Sequence, residues 1–177
     1  MAALYAAAGS PVLHGVTNLD GTARNPFAQP ARARVLVFVR TDCPITNRYA
    51  PDLQRLAQEF RGRGADFWLV YPDPKTTPQA IKDHLAQFSF PGTAVRDPRH
   101  ELVKLAHATI APEAAVFDAS GKLVYHGRID DRWINPGTAR PSASVHDLED
   151  AITAVLAGRA PAVSETRAVG CWLADVE

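Results

Sequence analysis

Cysteine is scarce in this chain of 177 residues, which holds two, Cys43 and Cys171, far apart in sequence. There is no CxxC pair and no Cys/His cluster with zinc-finger spacing, so the sequence encodes neither a local redox disulfide nor a structural zinc site. Net charge is also lacking. Nineteen Lys and Arg offset nineteen Asp and Glu, and no basic block stands out. That removes the usual electrostatic reason to propose nucleic acid or an anionic membrane as a partner. No apolar run reaches the roughly 18 residues that a membrane-spanning helix needs, so membrane insertion is not expected. A Gly-rich phosphate loop is missing, as is a serine in a GxSxG elbow, which sets aside nucleotide binding and serine hydrolysis.

What is present fits one folded domain. The apolar fraction is 46 % and the charged fraction 21 %, both ordinary for a globular chain of this length. The N-terminus, MAALYAAAGS, is small and apolar without a positive region. It reads either as the stub of a cleaved signal peptide, which implies export to a periplasm-like compartment, or as a plain start, which implies the cytoplasm.

Residues 12–19, ending at the Asp20-Gly21 turn signal, read as a strand or one arm of a hairpin. Residues 25–34 read as an extended connection. Val35–Val39 is an unbroken apolar run, the pattern of a strand buried on both faces. Ile45, Tyr49, Leu53, Leu56, Ala57 and Phe60 then recur at helical spacing. Pro44 suits the first turn of that helix, Pro51 should kink it, and Gly62 and Gly64 should end it. Downstream the pattern gives a strand at Phe67–Tyr71, a helix over about 77–88 with Ile81, Leu85 and Phe88 inward, and a short strand at Thr93–Arg96. A helix around His100–His107 and a hairpin of Ala114–Phe117 with Leu123–His126 follow. Residues 130–144 are irregular, Val145–Leu156 is a last amphipathic helix, and a tail carries Cys171. Strands alternate with helices and then form a hairpin, which implies an α/β domain with a mixed central β-sheet flanked by helices on both faces. The expected division is a domain over 1–158 and a tail over 159–177 that docks on it, since Val169, Trp172 and Leu173 would not suit a solvated tail.

The chemically informative segment is TDCPITNRYAP, residues 41–51. A cysteine between a buried strand and a helix start lies in the field of free N–H groups and the helix dipole, which favours the nucleophilic thiolate. Arg40 and Arg48 would add positive potential, and Asp42 would oppose it. Asn47 and Tyr49 are placed to hydrogen-bond near the sulfur.

Strand–xxCPxx–helix resembles the active-site arrangement of the thioredoxin superfamily, and Pro51 lies eight residues after Cys43, as that resemblance implies. Thr109–Asp118 resembles the cis-proline loop and the strand after it, which makes Ala111–Pro112 the expected cis peptide. Phe117–Arg128 resembles the terminal hairpin. Arg96-Asp97-Pro98 before a helix resembles the redoxin branch, the AhpC/TSA or peroxiredoxin-like family. The resemblance covers roughly residues 12–158 and implies a thioredoxin-like fold. It also implies thiol–disulfide oxidoreduction with Cys43 as nucleophile, needing no cofactor and exchanging electrons with a dithiol or disulfide protein. Pro44, Thr46, Ala111 and Pro112 would line the substrate groove, with Arg48 and Arg96 giving electrostatic support. A monomer or weak homodimer is the assembly expected.

The chain departs from these patterns in two places. Thr46 stands where thioredoxins carry their second cysteine. Arg40 stands three residues before Cys43, where peroxiredoxins typically carry Thr or Ser, with Thr41 one position late. Cys171 is then either a resolving thiol that reaches Cys43 or a spare thiol packed under the tail. Peroxide reduction by Cys43 is one alternative activity. Copper binding without turnover is another, through Cys43, Cys171 and His126, although Asn47 occupies the position four after Cys43 where copper-chaperone relatives carry a cysteine. A piece cut from a larger redox protein is a further reading. His100 and His107 share a helix face but lack a third ligand, so no metal site is assigned. Trp68 reads as a packing residue, Trp133 as a packing anchor or the wall of a substrate groove, and Asp130-Asp131-Arg132 as a solvated or paired surface cluster.

Overall fold

The computed structural model describes residues 11–173; the N-terminal MAALYAAAGS, read as either a stub or a plain start, lies outside them. The elements run β1 (Ala33–Phe38), α1 (Pro44–Arg48), α2 (Ala50–Arg61), β2 (Ala65–Tyr71), α3 (Pro78–Phe88), β3 (Thr93–Arg96), α4 (Glu101–Ala106), β4 (Ile110–Ala111), β5 (Glu113–Asp118), β6 (Leu123–Gly127), β7 (Trp133–Asn135), β8 (Thr138–Ala139), α5 (Asp147–Leu156) and β9 (Cys171–Trp172).

Five strands form the central sheet in the order β3-β2-β1-β5-β6. β1, β2 and β3 pair parallel, whereas β5 and β6 run antiparallel to their neighbours. Every residue of β1 is buried, as its unbroken apolar run requires of a central strand. Strand alternation divides its side chains between two cores. Val35 and Val37 join α2, α5 and Ile81 of α3 on one face. Leu36 and Phe38 join Trp68, Leu102, Val103 and Val16 on the other. The chain therefore has the thioredoxin-like α/β fold, a mixed sheet flanked by helices on both faces.

Several local expectations change. Residues 12–19 form no strand. Thr17 makes isolated bridges to Ala23 and Arg96, and Val16 plugs the second core instead. The kinked helix is two helices. Tyr49 ends α1, and Pro51 falls in the first turn of α2, because proline can open a helix but not continue one. His100 and His107 bracket α4 in left-handed conformations, with φ of 57° and 56°, and so lie outside it. In α3 the buried inward positions are Ile81 and His84, whereas Leu85 and Phe88 are half-buried. The last helix starts at Asp147. Val145 is held outside it, with its N–H donated to Asp131 Oδ1 at 3.0 Å.

The stretch 130–144 is not wholly irregular, and its acidic pair is not solvated. It contains the β7–β8 hairpin. Asp130 and Asp131 are buried. Asp130 accepts from Tyr49 Oη at 2.5 Å and Asp131 from the Ser144 N–H at 2.6 Å. Buried carboxylates persist only where donors replace their water.

Beyond α5 the chain returns across the sheet end. The His126 N–H donates to the Ser164 carbonyl at 3.0 Å, and the Thr166 N–H donates to the His126 carbonyl at 3.1 Å. This crossing needs glycine at 127. Its φ is 142°, and a Cβ there would lie 2.3 Å from the Thr166 carbonyl oxygen. The segment ends as β9, which pairs antiparallel with β4 in the register Ile110↔Trp172 and Ala111↔Cys171.

Candidate active site

Cys43 follows the central strand and caps α1 with extended backbone, φ −93° and ψ 111°. Pro44 follows it as the first residue of α1, and the Asn47 N–H donates to the Cys43 carbonyl at 3.1 Å. The Cys43 thiol donates to the carbonyl of Ala111 at 3.2 Å. The Ala111–Pro112 peptide is cis, and both residues are buried.

Cys171 lies opposite. Its Sγ is 2.6 Å from that of Cys43, with the Cys171 thiol as donor. Both cysteines are free thiols. Ladder geometry explains the meeting: pairing with Ala111 puts Cys171 beside the residue whose carbonyl already holds the Cys43 thiol. The Cys171 thiol is pushed up to about 12, by burial first and then by the hydrogen bond and charge of Cys43. Arg40 acts in the opposite direction on it.

Arg40 is the cation at this site. It grips Asp42 through two bonds, of 2.9 and 2.8 Å, and donates to the Trp172 carbonyl at 2.7 Å. The same pairing holds the Asp42 carboxyl below the usual carboxylate range. The negative charge next to Cys43 is thus matched by a guanidinium and also serves to fasten the tail.

The other expected support residues are placed elsewhere. Arg48 is exposed, with its guanidinium 5.4 Å from the Trp133 ring centroid. Arg96 donates to the carbonyls of Pro74 and Thr76, tying a loop to the end of β3. Tyr49 bonds Asp130 rather than approaching the sulfur. Thr46 is fully buried, and its hydroxyl has no hydrogen-bond partner among the described residues.

Asn47 also turns away from the sulfur, toward a histidine the sequence reading passed over. His84 Nε2 donates to Asn47 Oδ1 at 2.7 Å, and its Nδ1 accepts from Tyr71 Oη at 2.9 Å. Burial lowers the His84 pKa, which keeps the ring neutral and suits this donor–acceptor arrangement. The relay ties the cysteine-bearing α1 to β2 and α3. The only advance sign was a polar residue at an inward position of α3.

His126 does not join the sulfurs. It lies 3.6 Å from a Glu113 oxygen and 3.8 Å from a Glu165 oxygen, with the His107 ring 5.9 Å away. No group of three or more metal-ligating side chains is assembled among the described residues, so the copper set of Cys43, Cys171 and His126 is not gathered. No helix among the described residues is long and apolar enough to cross a membrane.

The AhpC/TSA family model matches residues 16–126, well over half of the chain, and the chain belongs to that family. Among solved structures, a hypothetical protein of Sinorhizobium meliloti superposes with a TM-score of 0.76 at 21 % identity, covering 89 % of this chain and 87 % of that one. An uncharacterised conserved protein of Geobacillus kaustophilus gives 0.74 at 24 %, with 89 % and 86 % covered. A secreted disulfide oxidoreductase of Mycobacterium tuberculosis gives 0.56 at 17 %, with 81 % and 93 % covered. These likenesses show the fold. Comparison with curated proteins gives no significant match. Membership of a thioredoxin-like redoxin family supports a thiol–disulfide oxidoreductase type of function in general terms.

Proposed function

We propose that the protein is a two-cysteine thiol–disulfide oxidoreductase in which Cys43 attacks and Cys171 resolves. The observation that carries this reading is the 2.6 Å separation of the two sulfurs, across a strand pair that brings distant parts of the chain together.

The reaction starts with deprotonated Cys43 attacking one sulfur of a partner protein's disulfide. A Cys43–partner bond forms, the partner's S–S bond breaks, and the leaving thiolate takes up a proton. Cys171 then loses its proton and attacks Cys43 Sγ, which releases the second partner thiolate to be protonated. Two electrons and two protons pass from the cysteine pair to the partner, and the pair becomes a disulfide. An external dithiol protein restores the pair by the reverse chemistry. Arg40 stands ready to support negative charge on Cys171, and the Ala111 carbonyl holds the Cys43 proton until attack.

The test is non-reducing mass spectrometry after exposure to a peptide disulfide. The wild-type chain should consume the peptide disulfide and gain a Cys43–Cys171 link that dithiothreitol removes. Cys171→Ser should accumulate the mixed disulfide on Cys43, and Cys43→Ser should consume none. Two freely alkylated thiols after exposure, or undiminished turnover by Cys43→Ser, would overturn the reading. Turnover of peroxide but not of disulfides would replace it with thiol peroxidase activity.

A further inference from the structure

In the reduced protein the proposed nucleophile has no exposed surface: the relative exposure of Cys43 is 0 %. A sulfur so enclosed cannot meet the disulfide of another protein. The segment in front of it is Gly170–Leu173, bonded to Cys43 through Cys171 and to the Thr109 carbonyl through the Leu173 N–H at 3.0 Å. The same segment occupies the backbone edge of Ile110–Ala111 as an antiparallel strand. We infer that the chain's own Gly170–Leu173 is a removable strap that occupies this edge in place of a partner strand, so that release of the tail opens Cys43. The inference rests on the proposed chemistry of Cys43 and adds its access control and the shape of its partner.

The tail is built as a strap with two unequal anchors. The upstream anchor, Ser164–Thr166, bonds β6 through two backbone hydrogen bonds. In addition, Thr166 Oγ1 accepts from the Arg128 N–H at 3.0 Å and bonds Tyr125 Oη at 2.8 Å. The downstream anchor is a pair of two-residue strands, the bond from Arg40 to the Trp172 carbonyl, and the buried side chain of Leu173. Two-residue pairing is marginal by itself, so the downstream end can lift while the upstream end stays attached.

Two clefts flank the strap. Glu113, His107 and His126 line one, and Trp133, Ile134 and Arg128 line the other. Ile110, Arg167, Ala168 and Trp172 wall both, so the two clefts meet at the strap and the Ile110 edge beneath it. Trp172, 72 % exposed, lies on the outer side of the strap, where an arriving chain meets it first.

The bound strap also specifies its replacement. A strand edge recognises an extended backbone by hydrogen bonding and selects side chains by the space at each position. At position 170 there is none: a Cβ would lie 2.0 Å from the Ala111 carbonyl oxygen. A partner strand in the same register therefore needs glycine immediately before its cysteine.

The test measures alkylation of Cys43 by iodoacetamide in the reduced, full-length Cys171→Ser chain, with and without Gly170→Ala. The first chain should label slowly. Adding Gly170→Ala should speed labelling by about tenfold or more, which corresponds to about 1.4 kcal/mol of lost docking. Leu173→Asp, which loosens the same anchor through a different contact, should do likewise. A synthetic peptide of residues 167–173 with serine for the cysteine should slow labelling of the Gly170→Ala chain, and the same peptide with alanine for its glycine should not. Fast labelling in Cys171→Ser alone, no acceleration by either variant, or protection by neither or both peptides would overturn the proposal. Alkylation needs no disulfide partner. A chain that labels as expected but exchanges no disulfide would therefore sink the oxidoreductase reading and leave the gate in place.

Discussion

At the residue scale the two thiols have different duties because their surroundings differ. Cys171 is pushed up to about 12, from an ordinary value of 9.0, and burial is the largest cause. The hydrogen bond and charge of Cys43 disappear once Cys43 is bonded to a partner sulfur, so burial, the smaller push from Asp42 and the opposing Arg40 remain. A thiol attacks only as thiolate, and well below its pKa the thiolate fraction rises about tenfold per pH unit. The resolving step should therefore accelerate steadily from pH 7 to 9 without reaching a plateau. The check is stopped-flow decay of the Cys43 mixed disulfide, preformed with a fluorescent peptide thiol. A rate independent of pH over that range would show that proton loss from Cys171 does not limit resolution. Linkage acts in the opposite direction on the docking of the reduced tail. A raised folded-state pKa means that the docked thiol contributes fully below about pH 9 and that its contribution is lost as pH climbs toward 12.

At the element scale the short helices depend on their ends. α4 has six residues and starts after a left-handed His100 that offers no side-chain cap. Asp97 supplies the cap from further back. Its carboxylate accepts from the Glu101, Leu102 and Val103 N–H groups at 2.8, 2.9 and 3.0 Å, and Asp97 is fully buried. Removing it leaves three donors unpaired, two of them buried. Asp97→Ala should cost about 2 kcal/mol, the scale of a lost cap plus unpaired buried groups, read as a lower urea midpoint with an unchanged slope. The sequence marked this residue only as part of Arg96-Asp97-Pro98 before a helix. Apolar runs made β1 and β2 legible, and helical spacing α2 and α5, because those patterns are local. The segment 12–19 misled because its apolar residues serve a core made by other elements. β4, β9 and the buried Asp130–Asp131 cluster were not legible, since each exists only through partners distant in sequence. The same reason divides the candidate site. Cys43 could be read from the strand, cysteine, proline and helix around it. Arg40 was legible as a cation beside Cys43, but its bond to the tail, like the role of His84, depends on partners that local pattern does not encode.

At the scale of the whole molecule, the cysteine pair connects the central strand to the far end of the chain, so oxidation would close a loop spanning most of the domain. A crosslink of 128 residues removes about 5 kcal/mol of unfolded-state entropy in the chain-entropy account. The closure adds little strain to the folded state, because the strand register already holds the sulfurs together. Oxidised protein should therefore unfold at a clearly higher guanidinium concentration than reduced protein, and Cys171→Ser should abolish the difference. The same energy acts on the redox equilibrium. Each 1.4 kcal/mol by which folding favours the disulfide lowers the pair's potential by about 30 mV, so the folded pair should be more reducing than the same two cysteines in the unfolded chain, by about 100 mV at the full entropic value. Equilibration with glutathione mixtures, in buffer and in denaturant, measures both potentials. Equal potentials would mean that the folded chain does not favour the linked state, and the tail would then be a cover for Cys43 rather than its redox partner.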